Sequence, residues 1–148
     1  ICLDIADLRK DSFVGPKLEW YKDKMKFVHG DSSRPETLAV VKEILGGRKL
    51  DALFIDGDHS FNGLLKDYGL FSPLVRVGGL IGFHNCLMAN MPGHPPGPVD
   101  EPELLGSRTF WKALETNYPQ RCELIDVEAG PWGNYGVGVY TVQTEDNR

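Results

Sequence analysis

Two short apolar runs, each stopping abruptly on metal-competent side chains, constrain this chain more than any other feature. The first is Leu53-Phe-Ile-Asp-Gly-Asp-His-Ser60 and the second is Gly78-Gly-Leu-Ile-Gly-Phe-His-Asn85. Leu53, Phe54 and Ile55 read as a strand buried on both faces, as in a parallel sheet. Asp56, Asp58 and His59 follow where that strand leaves the sheet, and His84 and Asn85 follow Leu80, Ile81 and Phe83 in the same way. Between the runs, Phe61, Leu64, Leu65, Tyr68 and Phe71 recur at the spacing of one helix face. Such a strand–helix–strand unit is parallel and right-handed, so both polar clusters emerge at one edge of the sheet. Open α/β sheets bind ligands outside the carboxyl ends of their strands, and an active site is expected there.

The flanking segments extend the same alternation. Ile1–Ile5 reads as a strand ending near Asp4 or Asp7, and Met25–His29 as a second short strand. Ser33-Arg-Pro-Glu36 then resembles a helix start with a capping box, and Gly46-Gly47 supplies the stop. After the Leu50–Asp56 strand and its helix, Gly78-Gly79 reads as the turn into the next strand. Residues 86–106 are too rich in Pro and Gly for regular structure and are expected to be a lid or substrate loop. Ser107 is placed to cap a helix carrying Phe110, Trp111 and Leu114. Two closing strands, Cys122–Glu128 and Gly136–Val142, are expected to pair through a hairpin connection at residues 130–134. The chain opens on Ile1, inside an apolar run, which reads as a piece of a longer protein.

With 148 residues, 41% hydrophobic and 25% charged, one globular domain is expected. The formal net charge of -5 lacks the basic footprint of a nucleic-acid binder. Cys2, Cys86 and Cys122 are odd in number and widely spaced, which suits a reducing, cytoplasmic setting. No run has the length of a membrane span.

The run FIDGDHSFNGLLKDYGLFSPLVRVGGLIGFHN, with Leu3-Asp4-Ile5, Phe27–Ser32, Phe110-Trp111 and Gly136–Val139, resembles the core of class I S-adenosylmethionine-dependent methyltransferases. The nearest branch is that of cephalosporin-hydroxylase-like proteins and metal-dependent O-methyltransferases. The resemblance implies a Rossmann-like α/β fold, its sheet mostly parallel with a C-terminal antiparallel strand. It also implies that the family's first strand and Gly-rich loop are missing, because Ile1–Asp4 matches the second strand. Either another chain fills the resulting gap, or residues 1–5 pair directly beside residues 50–55.

The resemblance also distributes roles. Asp4 corresponds to the carboxylate on the cofactor's ribose hydroxyls, and Asp31, with Ser32, to the residues that read the adenine; Asp56 borders the same cofactor. Plainer readings stand beside these: a strand-end turn for Asp4 and an Asx turn for Asp31. Asp56, His84 and Asn85 resemble the ligands of a divalent metal, Mg²⁺ or Mn²⁺. An imidazole among them tilts the set towards a transition metal such as Mn²⁺ or Zn²⁺. The plainer reading makes His84 and Asn85 hydrogen-bonding caps. His59, three residues past Asp56, matches the general base of related sugar O-methyltransferases, since an imidazole accepts a proton near neutral pH. His29 and His94 read as structural or exposed, and Trp132 and Tyr135 as pocket or core aromatics.

The function expected is therefore metal-assisted, S-adenosylmethionine-dependent O-methylation of a small hydroxylated molecule, a sugar or natural product. The alternatives are a metal-dependent hydrolase using the Asp/His cluster and a degenerate, non-catalytic relative. The expected partner is that small molecule or a second copy of the chain, with neither nucleic acid nor membrane.

Overall fold

The computed structural model describes residues 1–86, 102–125 and 136–144, with the side chains of 102–105 left aside. They fall into two compact units, Ile1–Arg48 and Lys49–Arg148.

In the first unit, β1 (Cys2–Asp4) pairs in parallel with β2 (Phe27–His29), Asp4 standing opposite His29. The connection between them carries a 3₁₀ turn at Leu8–Lys10 and the short helix α1 (Gly15–Trp20). α2 (Pro35–Leu45) follows β2 and buries Thr37, Val41 and Leu45. It ends where expected, on Gly46, whose φ of 57° lets its N–H turn back to the carbonyls of Lys42 and Glu43. The capping box does not form. Pro35 sets the first helical residue, so Arg34 takes the cap position and its side chain caps nothing. The Ser33 hydroxyl donates to the charged Asp31 carboxylate at 2.7 Å and caps no amide of α2 among the hydrogen bonds of the described residues.

The second unit runs β3 (Leu50–Ile55), α3 (Phe61–Phe71), β4 (Val75–His84), α4 (Pro102–Asn117), β5 (Cys122–Ile125) and β6 (Val137–Thr141). Its sheet has the order β3-β4-β6-β5. β3 and β4 are parallel, and β6 is antiparallel to both β4 and β5, so it alone runs against the others. The α/β class and the mostly parallel sheet with one C-terminal antiparallel strand are therefore as expected. No helix among the described residues is long and apolar enough to cross a membrane.

Four finer expectations are corrected. Leu53 and Ile55 face a core of Leu64, Val75, Ile81, Phe83, Phe110, Trp111, Leu114 and Tyr140, but Phe54 is 56% exposed and Leu80 45%. The strands are buried on one face only, because α3 and α4 both pack on the side that holds this core. Residues 1–5 do not pair beside residues 50–55: β1 is taken by β2, and β3 pairs with β4 among the described strands. Gly78-Gly79 is no turn but an irregularity inside β4, which advances from Val75 to Leu80 while β3 moves only from Leu50 to Ala52. Gly78 takes a φ of 74° there, a value that glycine adopts without strain. Finally, the loop expected over 86–106 ends early. Pro102 starts α4, so Ser107 lies inside that helix and not at its cap. The body of the expected lid, the connection at 130–134, and Trp132 and Tyr135 lie outside the described residues.

Candidate active site

The polar ends of β3 and β4 are shaped by hydrogen bonds that follow from the local sequence. Past Ile55 the chain turns tightly: Asp58 Oδ1 accepts from the Ser60 amide at 2.8 Å, and Ser60 Oγ accepts from the Gly63 amide at 3.0 Å, capping α3. This turn folds His59 back over Asp56. α4 then clamps it from outside. The Ser107 hydroxyl donates to the His59 carbonyl at 3.4 Å, and a Cβ on Gly106 would run into that carbonyl and the Phe61 amide. Gly106 and Ser107 were not singled out as site residues by the sequence, because nothing local ties them to His59, 48 positions from Ser107. On the other side, β4 ends at His84, and Asn85 takes a left-handed φ of 60°, which Asn tolerates better than most residues.

These two ends bring four side chains together. His59 Nε2 lies 3.1 Å from Asp56 Oδ1, and His84 Nδ1 lies 2.8 Å from the same oxygen. The two imidazole centroids are 5.9 Å apart. Asn85 Nδ2 sits 3.1 Å from His59 Nδ1, across 26 residues of sequence. Asn85 is only 6% exposed, and its Oδ1 has no hydrogen-bond partner among the described residues. As placed, Asn85 donates to Nδ1 and the proton of His59 rides on Nε2, pointing at Asp56. With the amide turned over, Oδ1 accepts from Nδ1–H and Nε2 carries the lone pair. Asp56, His59, His84 and Asn85, reached separately from the sequence, thus form one cluster.

The other candidates belong to the first unit and share the carboxyl end of its small sheet. The Gly30 amide donates to the Asp4 carbonyl at 2.9 Å, so Asp4 and the Gly30–Ser32 turn follow neighbouring strand ends. Asp4 Oδ1 accepts from the Ala6 amide at 2.7 Å. Asp31 Oδ1 accepts from both the hydroxyl and the amide of Ser33, which hold its carboxyl below the usual range, helped by the nearby Arg34. Both therefore make the turn contacts of the plainer readings. Ser32 lies inside the Asp31 turn.

Asp56, His59 and His84 each offer a ligand atom, all within 4.8 Å of one another. Against Mg²⁺ the fit is poor. That ion wants near-octahedral oxygen, and the cluster supplies one carboxylate beside two imidazoles. For Mn²⁺, Fe²⁺ or Zn²⁺ the same donors are suitable.

A family model described as a methyltransferase domain matches residues 1–86, more than half of the chain. Comparison with the curated proteins gives no match. Among solved structures, an O-methyltransferase from Bacillus cereus in complex with SAH is 18% identical with a TM-score of 0.63, over 95% of this chain and 61% of that one. TomG, an O-methyltransferase of tomaymycin synthesis from Streptomyces achromogenes solved with SAM, is 18% identical with a TM-score of 0.54, over 80% and 49%. MycE of the mycinamycin biosynthetic pathway, solved with Mg and SAH, is 20% identical with a TM-score of 0.56, over 97% and 37%. The chain thus spans between about a third and three-fifths of the length of these structures. At such identities the likeness is one of fold.

Proposed function

The chain belongs to the methyltransferase-domain family, and from that premise we propose that it serves S-adenosylmethionine-dependent methyl transfer to a hydroxyl of a small molecule, a sugar or natural product. The observation that carries this reading is the convergence of Asp56, His59, His84 and Asn85 at the carboxyl ends of two parallel strands. When bound, S-adenosylmethionine supplies a methyl group on a sulfonium: the acceptor oxygen bonds to that carbon while the carbon–sulfur bond breaks, its electrons passing to sulfur.

In this reading the chain's own residues manage the proton and the alignment. His59 takes the hydroxyl proton on Nε2, in the tautomer whose Nδ1–H is held by the turned Asn85 amide. Asp56, half-exposed beside Nε2, then stabilises the imidazolium by charge. Ser107 and Gly106 hold the His59 backbone in place. When the cofactor is bound, Asp4 would accept from its ribose hydroxyls, with Asp31 and Ser32 at the adenine. A divalent cation, Mn²⁺ before Mg²⁺, would rest on Asp56 and His84 and polarise the acceptor oxygen.

The experiment is transfer from methyl-labelled S-adenosylmethionine to a panel of hydroxylated sugars and phenols, with SAH release as the readout. Labelled ether in at least one acceptor, lost in His59→Ala with cofactor binding retained, supports the reading. S-adenosylmethionine binding with no loss of rate in His59→Ala would remove His59 from the chemistry. No cofactor binding at all would remove the activity.

A further inference from the structure

The same Nε2 lone pair that would take the acceptor's proton is also the one that a soft cation would seek. We propose that Asp56, His59 and His84 form a three-ligand site for a zinc-class transition metal, and that such an ion silences methyl transfer by occupying His59. The inhibitory half rests on His59 being the proton acceptor; the metal site itself does not.

Geometry and donor chemistry carry the proposal. Asp56 Oδ1 already touches both imidazoles, at 3.1 Å and 2.8 Å. Zinc holds its nitrogen and oxygen ligands at about 2.0–2.1 Å, so neighbouring ligands of a tetrahedral site stand about 3.3 Å apart. The pairs of Asp56 with each histidine are therefore already near that spacing, and the two imidazoles, within 4.8 Å of each other, have to close by up to about 1.5 Å on the ion. One carboxylate and two imidazoles, with a water in the fourth position, is a catalytic-type ligand set and not a hard-cation cage.

The second observation is Asn85. A histidine that binds metal through one ring nitrogen donates its other N–H to a carbonyl or carboxylate. Asn85 stands 3.1 Å from His59 Nδ1, is 6% exposed, and has an Oδ1 with no partner among the described residues. Turning the amide over supplies the acceptor, while the His59 proton passes from Nε2 to Nδ1. No proton leaves the site, and the ion's charge is offset by Asp56 alone. Mg²⁺ gains little from either imidazole, so the site discriminates against the ion that hard-oxygen sites hold.

The test reads metal binding first, with neither cofactor nor acceptor present. The full chain is titrated with Zn²⁺ alone against a chromogenic chelator, and then with Mg²⁺ in large excess. We expect one Zn²⁺ bound and not displaced by Mg²⁺, with affinity falling by about 10- to 100-fold or more in each of Asp56→Asn, His59→Ala and His84→Ala. Circular dichroism and melting of each variant separate loss of a ligand from loss of fold. Co²⁺ provides a second readout through its visible absorption, which shifts when an imidazole ligand is removed. Zinc affinity equal in wild type and His59→Ala would overturn the three-ligand site. Zinc retained by all three variants would place the ion on exposed groups elsewhere, such as Cys2 or His29, and overturn it too. If methyl transfer is observed, stoichiometric Zn²⁺ should abolish it, and removal of the zinc followed by Mn²⁺ should restore it; activity undiminished at full Zn²⁺ occupancy would overturn the inhibitory half while leaving the site.

Discussion

The carboxylates of the two units differ in how far their partners have travelled. Asp4 and Asp31 are bonded to residues two positions away, by contacts that any strand end or Asx turn makes. The Asp56–His59 pair is also local, but His84 and Asn85 reach it from 28 and 26 positions further along. A local contact explains itself through backbone geometry and asks for no ligand. Two imidazoles gathered on one carboxylate from the ends of two strands, with a buried amide on one of them, are not explained that way. The cofactor residues therefore rest mainly on family membership, and the cluster on geometry.

The largest effect that could break this contrast is on turnover. His59→Ala should lower kcat by about 10²-fold or more, the usual scale for a general base, with cofactor affinity unchanged. An equal loss in Ser33→Ala, measured in the same assay, would show that the local turns matter as much as the cluster. Next comes packing. Gly106→Ala forces α4 away from the His59 carbonyl and should destabilise the fold by about 1–3 kcal/mol, read from denaturant midpoints. A neutral result would mean that the cluster does not depend on α4. In the first unit, Asp4→Ala should weaken S-adenosylmethionine binding by about tenfold or more by calorimetry. Equal affinity in the two proteins leaves Asp4 as a strand-end turn.

The smallest effect is on stability in mild alkali. Burial raises the Cys86 thiol from 9.0 to about 11, and Cys122 likewise, so the folded chain keeps both protons where the unfolded chain loses them. The contribution of these thiols should be constant below pH 9 and be lost progressively from there towards pH 11, so stability should decline less over that range in Cys86→Ala. A Cys86→Ala variant with an unchanged alkaline slope would contradict this.

Much of this was legible in the residues, for identifiable reasons. The succession of strands and helices follows from apolar runs and the polar or Gly residues that end them, and α3 is capped by Ser60 because its hydroxyl meets an amide three residues later. Asp56, His59, His84 and Asn85 stood out because polar groups closing an apolar strand have few other uses. What failed was non-local. Phe54 and Leu80 look like two-sided core from composition, but whether a second face is covered depends on what packs there. Gly78-Gly79 has the composition of a turn, and only the register with β3 reveals an irregular strand. Ser107 has a capping residue's chemistry, yet Pro102 starts the helix sooner and turns Ser107 towards His59. That His59 shares one carboxylate oxygen with His84 is a matter of tertiary distance alone.

The central claim, that this cluster handles the acceptor's proton, is tested most directly by a single turnover. Protein loaded with methyl-labelled S-adenosylmethionine is mixed with an acceptor alcohol, and label in the ether is followed in wild type and in His59→Gln. Wild type should transfer one methyl per bound cofactor, and His59→Gln should do so at a rate about 10²-fold lower with the cofactor still bound. Equal single-turnover rates in the two proteins would contradict the claim.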